Sequence, residues 1–139
     1  MVLLAIKRGV TKGISSLVDL IKIMVPVYVA VSVLGQTPLM GLLDKVFKPI
    51  MGLMGLPGEA ATALVIGNVL NIYAAIGAMS ALHLTTKQVT VLALAILISH
   101  NLFVETAVSK KTGINVTSLV FVRIIGGILS AILLNWWWR

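Results

Sequence analysis

A chain of 139 residues that is 59% hydrophobic and 11% charged, with a mean hydropathy of +1.09, cannot cover a water-exposed surface, which takes roughly a quarter of charged residues. A soluble domain is excluded, and an all-α integral membrane protein is expected. The net charge of +7 sits in short loops and ends without interleaved aromatics, so the lipid bilayer and not nucleic acid is the expected counter-charge, and the absence of cysteine removes disulfides, thiolate nucleophiles and Cys-held metals together.

Residues 1–13 carry Lys7, Arg8 and Lys12 among Leu3, Leu4 and Ile6, a pattern that predicts an amphipathic helix in the membrane interface. A cleaved signal peptide is set aside, because Asp19 and Lys22 interrupt the apolar run it would require. About four spans, long enough to cross the ~30 Å hydrocarbon layer, are predicted at 16–35, 59–82, 87–108 and 117–137. The first opens on Ser16-Leu17-Val18-Asp19, which has capping-box spacing, and Asp19 can pair with Lys22 on one helical face.

Next comes Gly35-Gln36-Thr37-Pro38, with Thr37 as N-cap and Pro38 as the first residue of a helix over 39–54. That helix holds Asp44, Lys45 and Lys48, too many charges to span, and is expected to be interfacial or re-entrant. Gly52, Gly55, Pro57 and Gly58 then break the backbone, and irregular backbone near a membrane survives only where protein or a wet cavity satisfies it. In 59–82 the residues Ala60, Ala63, Gly67, Asn71, Ala74, Ala78 and Ala81 recur at spacings of 3 or 4, a seam along which backbones can approach closely. Thr85-Thr86-Lys87-Gln88 predicts a second capping box, and Lys110-Lys111-Thr112-Gly113 a helix end with Gly in the left-handed conformation. Asn115-Val116-Thr117 reads as a cap or a glycosylation acceptor, and Trp136 to Arg139 as an interfacial anchor.

Polar groups at membrane depth are functional candidates, because lipid penalises them unless they are paired or wetted. Asn68 and Asn71 form one set, suited to an ion or a sugar hydroxyl or, alternatively, to helix-to-helix hydrogen bonding. His100, Asn101 and Glu105 form a second. Glu105, five residues from Lys110, is either an interfacial carboxylate or a deeper proton carrier. The third set is Arg123, seven residues into its span, for which Glu105 is the best-placed carboxylate; a structural ion pair and an anion anchor are the two readings. Gly126, Gly127, Ser130 and Ala131 beside it form a packing face. No Gly-x-Ser-x-Gly, His-Glu-x-x-His or phosphate-cradling Gly loop occurs, so neither enzymatic activity, cofactor nor metal is expected.

Gly41-Leu42-Leu43-Asp44 with Pro49, Gly55-Leu56-Pro57-Gly58-Glu59-Ala60-Ala61, and His100-Asn101-Leu102-Phe103-Val104-Glu105 leading to Lys110-Lys111-Thr112-Gly113 resemble the nucleoside-recognition, or gate, domain family of small bacterial and archaeal inner-membrane proteins. Spore-maturation membrane proteins, the membrane part of ferrous-iron transporters and concentrative nucleoside transporters are related to it. The resemblance covers about residues 15–135. It implies a transport-type fold with discontinuous helices, half of an inverted-repeat arrangement, in a single gate-type membrane domain over 1–139. By the same resemblance Pro57, Gly58 and Glu59 make the gating turn and His100, Asn101 and Glu105 the second motif; from the residues themselves, Asn68 and Asn71 join His100, Asn101 and Glu105 as candidates for a substrate or ion path, with Arg123 as a structural or gating residue. Two departures matter: related transporters carry paired gate units, and iron-transporting relatives carry a cysteine absent here, which disfavours ferrous iron.

The expected function is a half-transporter in the inner (plasma) membrane that dimerises to form a path for nucleosides or other small polar solutes, coupled to protons or sodium. The alternative is a non-transporting subunit or scaffold of an envelope or sporulation complex. With four spans both ends share one face, together with Lys7, Arg8, Lys12, Lys87 and Arg139, against Lys45, Lys48, Lys110 and Lys111 opposite, Lys22 and Arg123 being set aside as within spans. A difference of one basic residue does not fix orientation. An antiparallel homodimer of dual topology, or pairing with a related gate-domain subunit, is expected on that ground.

Overall fold

The computed structural model describes residues 2–111 and 113–138. Met1, Thr112 and Arg139 lie outside the described residues, as does the Lys111 side chain, and with them parts of the expected interfacial helix, helix end and anchor. The described chain folds into α1 (Val2–Gly35), α2 (Pro38–Leu53), α3 (Ala60–Val69), α4 (Ile72–Ser80), α5 (Thr86–Ser99), α6 (Leu102–Lys111) and α7 (Val116–Trp137). Three segments are long and apolar enough to cross a membrane: Val2–Gly35, Thr86–Lys110 and Val116–Trp137.

Residues 2–13 and 16–35, expected as two helices, are one. Gly9 and Gly13 meet nothing within 4 Å, and the backbone runs through them with its i→i−4 bonds intact. Ser16 and Asp19 therefore sit mid-helix, where no orphan N–H groups remain for a capping box to satisfy. The Asp19–Lys22 pair does form, at 3.4 Å and exposed to the surroundings. At 1.5 Å per residue the 34 residues of α1 reach about 51 Å, well beyond a hydrocarbon layer of ~30 Å. Pro26 lies inside the helix without ending it, as membrane helices tolerate.

Thr37 occupies the N-cap of α2 with Pro38 in the first turn, but its hydroxyl makes no capping bond; it donates backward to the Leu34 carbonyl at 2.7 Å. After α2 the glycines bend the chain closely. Gly58 donates its N–H to Asp44 Oδ1 at 2.8 Å, and a Cβ on Gly58 would lie 2.1 Å from the Asp44 carbonyl oxygen, so only glycine lets the turn press against α2.

The largest departure from the sequence reading is at 59–82. This stretch forms no fourth continuous span: it folds back on itself as a hairpin of α3 and α4. A Cβ on Gly67 would fall 3.0 Å from the Cβ of Ala75, and Glu59, before α3, lines the same cavity as His83, after α4. Arms of 10 and 9 residues reach about 15 and 14 Å, half a hydrocarbon layer each. The small-residue seam makes this possible. Ala60, Ala63 and Gly67 on one arm and Ala74, Ala75, Gly77 and Ala78 on the other are buried, so the arms and α1 approach nearly backbone to backbone. A Cβ on Gly77 would lie 2.6 Å from the Met24 carbonyl oxygen of α1.

The Thr85–Gln88 capping box forms in both directions, and Asn115 caps α7 by accepting from the Ser118 N–H at 3.3 Å. Gly113 ends the preceding turn with φ +79. Helix α7 returns antiparallel along α5, the most extensive packing in the molecule. The Gly127 face sits on the Ala95 carbonyl, where a Cβ would come within 2.9 Å, and Gly126 faces Ile98. The seam and the Gly126–Ala131 face, both read from sequence as needing neighbours, therefore find them within the chain. At the far end Lys87 Nζ donates to the Asn135 carbonyl at 3.2 Å, and Gly55, at φ +70, makes room for the Asn135 side chain. The core, with Met51, Met54, Val91, Leu92 and Ile96 fully buried, lies between this connection, the hairpin and α5.

Candidate functional site

Two helix interruptions meet inside the molecule. The first is the hairpin tip. Leu70 leaves helical geometry at φ −98, ψ −86, Asn71 is extended at φ −169, ψ 171, and its side-chain oxygen accepts from the Ala74 N–H at 2.9 Å, capping α4. The second interrupts 86–111 at His100 and Asn101. Asn101 adopts φ +58, left-handed geometry that Asn tolerates better than other non-glycine residues. Its N–H donates to the Gly67 carbonyl at 3.0 Å, so a carbonyl freed at the end of α3 satisfies a donor freed at the break in the other segment. The discontinuous helices implied by the family resemblance are present.

The end of α5 is held by two side chains. His100 Nδ1 lies 2.9 Å from the Leu97 carbonyl and 3.2 Å from that of Ile96. Two acceptors facing Nδ1 place the ring proton there in the neutral form, which leaves Nε2 as an acceptor. Arg123 on α7 donates Nε–H to the Ile98 carbonyl at 2.8 Å and pairs through its guanidinium with Glu105, in the first turn of α6. A cation at the C-terminal end of α5 and a carboxylate at the N-terminal end of α6 each complement their helix dipole. Arg123 thus bridges the break, with its side chain 16% and that of Glu105 42% exposed. Of the two readings of Arg123, the structural ion pair is the one formed.

Asn68, on the last turn of α3, differs from these. Its Oδ1 is buried and has no hydrogen-bond partner among the described residues, and it borders a cavity of about 390 Å³ with Leu102, Phe103, Thr106 and Val120. Asn68, Asn71, His100 and Asn101 are thus gathered at the two interruptions, with Glu105 one helical turn away and engaged by Arg123. Pro57, Gly58 and Glu59 lie elsewhere, at the foot of the hairpin. Sequence reading passed over Tyr28 and Ser32, one turn apart near the end of α1, Gln36 just beyond it, and His83 opposite them.

A family model described as nucleoside recognition, Gate, matches residues 17–129. The chain belongs to the Gate family. This Gate chain is 41% identical over 131 residues to the uncharacterized membrane protein YvoD of Bacillus subtilis (strain 168), an overlap that takes in 94% of this chain and 42% of that protein. The Gate chain therefore spans about two fifths of the length of the curated relative it matches. No solved structure matches it with significance. The matched residues run from α1 to α7 and include both interruptions, so the Gate unit is a membrane domain that contains the broken helices.

Proposed function

We propose that this Gate unit is half of a solute transporter, in which two such units, in one chain or in two, face each other across a path for a small polar solute. The observation that carries this reading is the meeting of two helix interruptions, with the buried and unpartnered Asn68 Oδ1 beside them. Broken helices that cross near half-depth offer polar backbone and side-chain groups where lipid offers none. Asn68 supplies an acceptor, His100 Nε2 another, and the amides of Asn71 and Asn101 supply donors. Nucleosides, whose hydroxyls and base edges present complementary groups, are the first solutes to test, with proton or sodium coupling.

The hairpin bears on how two units would pair. Entering and leaving on one face, 59–82 adds no crossing, so the three remaining segments place the two ends of the described chain on opposite faces. A unit with an odd number of crossings comes out inverted when it is repeated in tandem, without an added linker helix. YvoD is long enough for a second unit of this size, since the match takes in only 42% of it. With Lys22 and Arg123 set aside as within spans, the basic residues regroup as Lys7, Arg8, Lys12, Lys110 and Lys111 against Lys45, Lys48, Lys87 and Arg139, still one apart, which leaves both insertions open to a lone unit. An antiparallel pair is the arrangement proposed. The Glu105–Arg123 pair favours a second reading, a non-transporting subunit, because it occupies two intramembrane charges in holding the fold.

Uptake of labelled uridine and adenosine into proteoliposomes, under an inward proton or sodium gradient, tests the proposal. Gradient-dependent accumulation that Asn68→Leu abolishes while the protein stays folded is the expected result. Uptake no higher than in empty liposomes, for nucleosides and neutral amino acids under both gradients, would establish the non-transporting reading instead.

A further inference from the structure

The cavity at the foot of the hairpin, remote from the tip, is unlike the others. It measures about 350 Å³ and is lined by Tyr28 and Ser32 near the end of α1, Gln36 just beyond it, Glu59 before α3, and Ser80 and His83 around the end of α4. The chain has four acidic residues, and three are engaged. Asp19 pairs with Lys22, Asp44 accepts from the Gly58 N–H, and Glu105 pairs with Arg123. Glu59 is the exception: it sits half-buried at the N-cap of α3 but makes no side-chain capping bond, and among the described residues its carboxylate has no partner. The side chains of Tyr28, Gln36 and His83 are likewise without hydrogen-bond partners among the described residues.

We infer that this cavity is a binding site for a small ammonium-bearing polar solute, of amino-sugar size or smaller. A carboxylate with no cation beside it favours a ligand that brings one, through charge-assisted hydrogen bonds. Tyr28 lines the same cavity, and an aromatic ring within reach of a cation can add cation–π attraction. Gln36, Ser32, Ser80 and His83 supply donors and acceptors for the hydroxyls of such a solute. The volume lies in the range of ligand cavities, about 300–1,000 Å³, too large for a bare ion. One carboxylate and one imidazole do not make up a metal coordination set, and no cluster of three metal-type ligands occurs among the described residues. An anion would meet the unpaired Glu59 charge. This site does not depend on the transport reading, since binding at the foot needs no path through the tip.

The chain's two histidines make the test local. His83 borders this cavity and His100 stands at the α5–α6 break, so histidine-labelled protein in phosphatidylcholine nanodiscs carries one NMR reporter at each place. Glucosamine and ethanolamine are titrated as protonated amines, with glucose and ethylene glycol as neutral counterparts. At least one amine should shift the His83 signals saturably and leave His100 unmoved, while its neutral counterpart binds at least tenfold more weakly. Glu59→Gln should abolish the shift with the His100 signal in place. Should that variant misfold, Ser32→Leu, which puts an apolar branch into the cavity wall and keeps the carboxylate, should weaken it at least tenfold. Three results would overturn the assignment: no response of His83 to either amine, equal binding of the neutral compounds, or a shift that survives Glu59→Gln. Loss of nucleoside uptake leaves this result untouched, so the two readings fail separately.

Discussion

The Glu105–Arg123 pair holds together the end of α5, the start of α6 and α7, and its energetics can be separated by a double-mutant cycle. Glu105→Gln keeps the shape and removes the charge. Exposed ion pairs contribute about 0–1 kcal/mol, whereas breaking a buried one costs about 3–5 kcal/mol. With Arg123 16% and Glu105 42% exposed, the single change falls between those limits, at about 1–2 kcal/mol. Arg123→Met removes the same pair and also the Nε–H donated to the Ile98 carbonyl, which adds about 1 kcal/mol. The double variant should then cost little more than Arg123→Met alone, giving a coupling of about 1–2 kcal/mol. Unfolding in mixed micelles by rising SDS, followed by far-UV circular dichroism, supplies the four stabilities. Single costs that add to within about 0.3–0.5 kcal/mol, as independent sites do, would refute the bridging role.

Gly77→Ala should destabilise by about 1–3 kcal/mol in the same assay, since its Cβ would meet the Met24 carbonyl at 2.6 Å; Gly41→Ala, with nothing within 4 Å, should be neutral or stabilising. Asn71→Ala should cost about 1 kcal/mol through the lost α4 cap, and Asn71→Ser should restore most of it, because a hydroxyl oxygen accepts from the Ala74 N–H as the amide oxygen does, without bringing a charge to membrane depth.

Much of the local structure was legible in the residues, because its causes are local. The Thr85–Gln88 box, the Asn115 cap, the left-handed Gly113, the Asp19–Lys22 pair and the partnership of Arg123 with Glu105 each follow from residue types at fixed spacing. The small-residue seam was read correctly as a packing face, but its neighbours lie inside the chain, on the other hairpin arm and on α1. The hairpin itself was not legible, since hydropathy and length are the same for one continuous span and for two half-length arms. The available signal was Asn71, three residues before Ala74 in the middle of an apolar run, where an N-cap means that a new helix begins. The Ser16–Asp19 box shows the converse: correct spacing without a helix start to cap. The cavity at the hairpin foot was missed because it forms only when the end of α4 returns beside the end of α1.

The account rests on 59–82 entering and leaving on one face, and labelling in the cysteine-free background tests that most directly. Two double variants are needed, Gln36→Cys with His83→Cys and Gln36→Cys with Ile114→Cys, in sealed vesicles exposed to a membrane-impermeant thiol reagent. Intact-mass measurement then counts labels per molecule, whichever way up each molecule inserted. A re-entrant hairpin puts 36 and 83 on one face and 114 on the other, so the first variant carries two labels or none and the second carries one. One label on the first variant, and two or none on the second, would mean that 59–82 crosses the membrane and would contradict the account.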